Sequence, residues 1–175
     1  MSQDFIPTLS ILNAVVAAVQ ALTVPESEDK LFDEVRLYDA TDVDKAFADL
    51  ALNRQKKLCF VLPSKHTYQS QLDGSKLDSA KRINFACLVC DTDRKTGREA
   101  LFGGDKNLGV IALQEELVDQ LTGAQLGLRW VVVEPVEGDD FVVFDEHQSS
   151  DPGRKGWFQL FSTRAGRANR SIQRL

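Results

Sequence analysis

The sequence predicts an α+β fold: a mainly antiparallel sheet with about three helices packed on it. Three observations carry this expectation. Apolar residues recur at helical spacing in three stretches, they alternate with polar residues or run unbroken in six shorter ones, and the two kinds do not take turns regularly. The resulting order is helix, strand, helix, strand, strand, helix, strand, strand, strand. That order excludes a regular βαβ series and its all-parallel sheet.

The first helix opens at Pro7, a residue tolerated at a first helical position, and carries Leu12, Val15, Val16, Val19 and Leu22 as its stripe before ending near Pro25. Between Leu31 and Tyr38, Val35 and Leu37 interleave with Glu34 and Arg36, the period of a strand. Thr41 with Asp44 three residues on resembles a capping box, and Val43, Ala46, Phe47 and Leu50 give a second helix its apolar face. The unbroken run Leu58–Leu62, stopped by Pro63, fits a strand buried on both faces inside a sheet. From Pro63 to about Leu77 the chain is polar and contains Gly74, which predicts a long loop.

A long strand follows, with Ile83, Phe85, Cys87 and Val89 on one side and Arg82, Asn84, Ala86, Leu88 and Cys90 on the other. The polar segment Asp91–Gly104 separates it from a third helix, expected over Asn107–Leu121. Val110, Leu113, Leu117 and Leu121 face inward there, Glu115, Glu116 and Asp119 outward, and Gly123 provides the stop. Trp130–Glu134 and Phe141–Asp145 read as an antiparallel hairpin around the turn Pro135–Asp140, and Trp157–Thr163 alternates as the last strand. The expected organisation is one domain over residues 1–163 with a basic C-terminal tail over 164–175.

Composition bounds the function. With 175 residues, 43% hydrophobic and 27% charged, the chain is globular material that buries roughly 70% of its extended surface without needing disulfides or metal. An odd cysteine count of three and the lack of a leader-like opening point to a reducing cytosol as the place of synthesis. The net charge of −5 conceals a split: residues up to Asp151 hold 15 basic and 26 acidic groups, or −11, and the stretch beyond holds six basic groups and no acid. An acidic body argues against a dedicated duplex-DNA binder, which must offer phosphates a broad cationic face.

Signals for chemistry are weak. Cys87-Leu-Val-Cys90 has redox or zinc spacing, but in a strand residues three apart point to opposite faces, and the other soft ligands are only Cys59, His66 and His147. Core packing is the reading adopted for these thiols. Glu134, Glu137, Asp139, Asp140, Asp145, Glu146 and His147 could hold Mg²⁺ for phosphodiester cleavage, yet they surround a turn, where acidic residues are favoured for backbone reasons. Gly103-Gly104-Asp105 lacks the P-loop and dinucleotide patterns and reads as loop and helix cap. His66 and His147 read as surface residues, and Trp130, Trp157, Phe158 and Phe161 as core or subunit-interface aromatics. No catalytic residue, cofactor or metal is expected.

The tail differs in kind. Arg164, Arg167, Arg170 and Arg174 recur every three or four residues and would line one face of a helix. They belong to a solvated terminus, to an arm docking on an acidic surface of a neighbouring subunit or partner, or to nonspecific phosphate contact.

Over roughly residues 7–164 the organisation resembles that of the phage tail terminator or tail-completion proteins of long-tailed phages, including Mu-like ones. The features that carry this are the opening helix Ile11-Leu-Asn-Ala-Val-Val-Ala-Ala-Val19, the Thr41-Asp-Val-Asp-Lys-Ala-Phe47 helix leading into the strand Leu58-Cys-Phe-Val-Leu-Pro63, the long strand through Phe85, the late helix and the closing strands. The resemblance implies a structural virion protein without catalytic residues. It would form a ring, usually a hexamer, at the head-proximal end of the tail, capping the tail tube and contributing to head–tail joining. Its partners would be further copies of itself, the tube protein and neck or connector proteins, with DNA passing through unbound and no membrane involved. The alternatives are another head-tail connector or neck protein, and a small metal-dependent nuclease using the acidic hairpin.

Overall fold

The structure, a computed structural model, describes residues 6–38, 57–73, 76–92, 101–104, 108–128, 131–136 and 154–171. Its elements in chain order are α1 (Thr8–Ala21), β1 (Glu34–Leu37), β2 (Lys57–Asp73), β3 (Lys76–Thr92), α2 (Val110–Leu121), β4 (Val132–Pro135) and β5 (Arg154–Ser171). The strands form one mixed sheet in the order β1-β2-β3-β5-β4. Only the β1–β2 pairing is parallel; β2–β3, β3–β5 and β4–β5 are antiparallel. The α+β architecture is therefore present, with two helices among the described residues. The expected helix at Thr41–Leu50 and the expected strand at Phe141–Asp145 lie outside them.

Residue alternation on β2, β3 and β5 sorts the core into two sides. On one side Cys59, Val61, Phe85, Cys87, Val89 and Phe161 meet Leu12, Val15 and Val19 of α1 and Val110, Leu113, Leu117 and Leu121 of α2. On the other, Leu58, Phe60, Leu62, Ala86, Leu88 and Cys90 are buried with Tyr38, Phe158 and Leu160 beside them. Both described helices thus pack on one side, while the sheet is apolar on both, as the unbroken run Leu58–Leu62 implies. Phe85 and Phe161 face each other in register and stack with ring centroids 5.4 Å apart. A third cluster, Ile11, Ile83 and Val131, closes one end of this body.

The ends of the helices have local causes. Pro7 is the cap before α1 and not its first helical residue; its extended ψ of 139° lets its carbonyl accept the bond from the Ile11 N–H at 3.2 Å. Helix α2 starts at Val110, later than the periodicity suggests, because Gly109 caps it. A Cβ at Gly109 would stand 2.2 Å from the Gly103 nitrogen and 2.6 Å from the Leu101 oxygen, so backbone packs directly on backbone there. Gly123, at φ +79°, turns the chain out of α2 and donates its N–H to the Val133 oxygen at 2.9 Å, joining the helix exit to the start of β4. Gln114 and Gln159 hydrogen-bond to each other, holding α2 against β5.

The largest departure from expectation concerns residues 63–77. The predicted loop is strand: β2 continues through Asp73 and β3 begins at Lys76, paired from Asp73↔Lys76 back to Lys57↔Asp91. Apolar alternation reports a strand only where a face is buried, and this stretch has no apolar face to report. Pro63 does not end the strand either. The register shifts between Pro63 and His66, an irregularity that accommodates the missing N–H. Likewise position 164, expected to begin a separate tail, falls inside β5, which continues to Ser171.

The two glycines predict different costs. Gly123→Ala meets open space and pays only for its backbone conformation, about 1 kcal/mol. Gly109→Ala must displace the 101–103 backbone and is expected to cost more, on the order of 1–3 kcal/mol or above. Urea denaturation of both variants checks the ranking, and the reverse order would contradict the close approach.

Candidate functional site

Strands of 17 and 18 residues are about three times the usual length. Their inner parts form the body described above. Leu62, Ile83 and Thr163 are buried residues at the inner ends of these segments. Their outer parts, residues 64–73, 76–82 and 164–171, continue as a three-stranded ribbon with β3 in the middle. At about 3.3 Å per residue the seven-residue segment 76–82 alone spans roughly 23 Å. We call this ribbon the arm.

Beyond Arg164 on one side, and along 64–73 on the other, the long edges of the arm have no strand partner among the described residues. Strand β1 pairs with β2 only as far as Val61, and β4 pairs with β5 only from Phe161 to Arg164. Between Ala80 and Lys81 the β3–β5 register shifts, with Lys81 opposite Ala165 and Ala80 opposite Arg167, so Gly166 is the extra residue of a bulge. The large side chains of apolar character in the arm's sequence are few: Tyr68, Leu72 and Leu77. A ribbon this polar has no face of its own to bury.

Its charge is distinctive. Lys65, Lys76, Lys81, Arg82, Arg164, Arg167 and Arg170 oppose only Asp73 and Asp78, giving net +5. The remainder of the chain then holds 14 basic and 24 acidic groups, or −10. The split between acidic body and basic tail is thus a split between body and arm. At the arm's root Arg82 and Arg164 are register partners, and among the described residues the buried Arg82 Nε has no hydrogen-bond partner.

Of the four arginines singled out in the sequence, Arg164, Arg167 and Arg170 lie on β5, opposite Arg82, Ala80 and Leu77, and Arg174 lies outside the described residues. A strand does not gather them into the single stripe a helix would make. The register instead places them near Lys76, Lys81 and Arg82 of β3; the sequence reading set Lys76 in a loop and Arg82 on a strand face and gave Lys81 no place. The signal for them in the sequence is the local charge balance over 64–82, four basic residues against two acidic ones.

The other candidates resolve differently. Cys59, Cys87 and Cys90 are free and buried, with Cys87 among the residues facing the helices and Cys90 on the opposite side. Burial pushes the Cys87 thiol up, and neighbouring Cys59 adds to this through a hydrogen bond and charge repulsion. A thiol held protonated in this way is a poor nucleophile and a poor ligand. Of the acidic hairpin cluster only Glu134 is described; the others and His147 lie outside, as does Trp130. His66 sits on β2. Phe161 is core, and Trp157 and Phe158 pack against the two sides of it. Among the described residues no group of three or more His, Cys, Asp or Glu could hold a metal, and no helix is long and apolar enough to cross a membrane. The chain matches no protein-family model. It matches none of the curated proteins.

The cysteine burial carries a prediction. The folded Cys87 thiol titrates above its unfolded value, so its contribution to stability is complete below about pH 8.5 and falls away as pH rises above that. Disulfide-exchange reagents at pH 8 should modify fewer than one thiol in the folded protein and all three in urea. The urea midpoint of Cys87→Ala should fall less between pH 8 and 10 than that of the parent. Parallel decline of the two midpoints, or prompt reaction of the folded thiols, would contradict this account.

Proposed function

We propose that the protein is a structural virion component of a long-tailed phage, a tail terminator. It forms a ring that caps the finished tail tube and contributes to head–tail joining. The observation that supports this reading best is the charged arm: a two-sided body with a long ribbon of opposite charge suits contact between subunits. The organisational resemblance over residues 7–164 points the same way. In this reading the chain has no catalytic residue and no resident cofactor or metal.

A ring around a DNA channel must let the duplex pass without holding it. Six copies carry −30 in total, so a ring whose basic arms are held in subunit contacts still presents net negative charge to the duplex. The protein would act at the head-proximal end of the tail, touching the tube protein on one side and neck proteins on the other. Another connector or neck protein shares the same plan; pull-down against purified tail tubes and against portal complexes separates the two.

Negative-stain microscopy of the purified protein, alone and with tail tubes, is the direct test. Closed rings with a central hole, seated at tube ends, are the expected result. A monodisperse monomer at high concentration that ignores tail tubes would overturn the reading.

A further inference from the structure

We propose that the arm of one copy docks on the acidic helix-and-turn surface of the next copy. This inference rests on the ring reading and names the surfaces that join the ring. The acidic surface is built from two adjacent segments of the body. Helix α2 carries Glu115, Glu116 and Asp119 and no basic residue. The turn after α1 carries Glu26, Glu28 and Asp29. Gln120 ties the two together: its amide donates to the Thr23 carbonyl at 3.1 Å and to the Glu116 carboxylate at 3.2 Å. The turn itself is fixed by the Thr23–Lys30 bridge and by the Val24 N–H bonding the Asp29 oxygen at 2.9 Å.

Six carboxylates against the single Lys30 give this surface −5, equal and opposite to the arm's +5. Single exposed ion pairs contribute little, but several aligned pairs on a preformed ribbon set register and partner choice and speed encounter. Arm against arm, or acidic surface against acidic surface, sets like charges together. The favourable pairing is therefore between different patches on two copies. Such a contact repeats from copy to copy and closes into a ring when the rotation allows. It also supplies what the arm's own sequence lacks, a surface to lie on.

The test is charge reversal with rescue, read by mass photometry and sedimentation at 150 mM and 500 mM salt. Arg167→Glu with Arg170→Glu reverses the arm, and Glu115→Lys with Asp119→Lys reverses the body surface. Each pair alone should raise the concentration needed for assembly at least tenfold at 150 mM salt while leaving the monomer's melting temperature nearly unchanged. Mixing the two variants, or combining all four substitutions in one chain, should restore assembly to within about threefold of the parent.

Rings that ignore both reversals would overturn the inference and leave the ring reading standing; the arm's charges would then only blunt exposed strand edges. Loss of assembly without rescue would overturn it too. A rescued dimer in place of a ring would support the arm contact and overturn the ring reading, and a parent chain that never assembles would overturn both. A fluorescent duplex oligonucleotide provides the control for phosphate binding. Tight duplex binding lost on arm reversal, with assembly untouched, would assign the arm to nucleic acid and end the proposal.

Discussion

Strand β3 is the constraint on which the rest of the structure depends. It is hydrogen-bonded on both edges along its whole length, to β2 from Lys76 to Asp91 and to β5 from Lys76 to Thr92. Over Phe85–Cys90 it is also apolar on both faces, so it is both the centre of the sheet and the middle layer of the core. Because the same strand continues outward through Lys76–Arg82, the direction of the arm is inherited from the packing of the body. Cavity-forming changes at Phe85 or Leu88 would therefore loosen both parts at once.

This continuity explains which features of the fold were legible. The faces of α1 and α2, the alternation over Arg82–Cys90 and the two-sided burial of Leu58–Leu62 are written in apolar spacing, since each reflects water exclusion from a defined face. The arm is not written that way. Its strands are held by main-chain bonds that every residue can make, and the polar run from Ser64 to Lys81 carries the same hydropathy as a loop. Even its breaks read ambiguously: Pro63 marks an irregularity within β2, and Gly166 a bulge within β5, where each could equally have signalled an end. The late start of α2 is tertiary in origin, because the backbone approach at Gly109 depends on residues 101–103.

The candidate site was legible in part. The sign and segregation of charge were plain from the terminal arginines, and they pointed to a contact surface. What the sequence concealed was the company they keep. Placing Arg164, Arg167 and Arg170 beside Lys76, Lys81 and Arg82 turns a short basic tail into a two-edged basic ribbon, and moves the charge boundary from position 151 along the chain to the root of the arm in space. Like charges along such a ribbon, net +5 by sequence, are an electrostatic cost to the isolated chain. An acidic partner surface would relieve it, which is the physical reason to look for the arm's partner on a body that carries −10.

Zero-length coupling of amines to carboxylates in an assembly mixed from ¹⁴N- and ¹⁵N-labelled protein tests that claim most directly. The account predicts mixed-isotope links joining Lys76 or Lys81 to Glu115, Glu116 or Asp119. Assembled particles whose arm lysines link only within single-isotope chains, or link to none of these carboxylates, would contradict it.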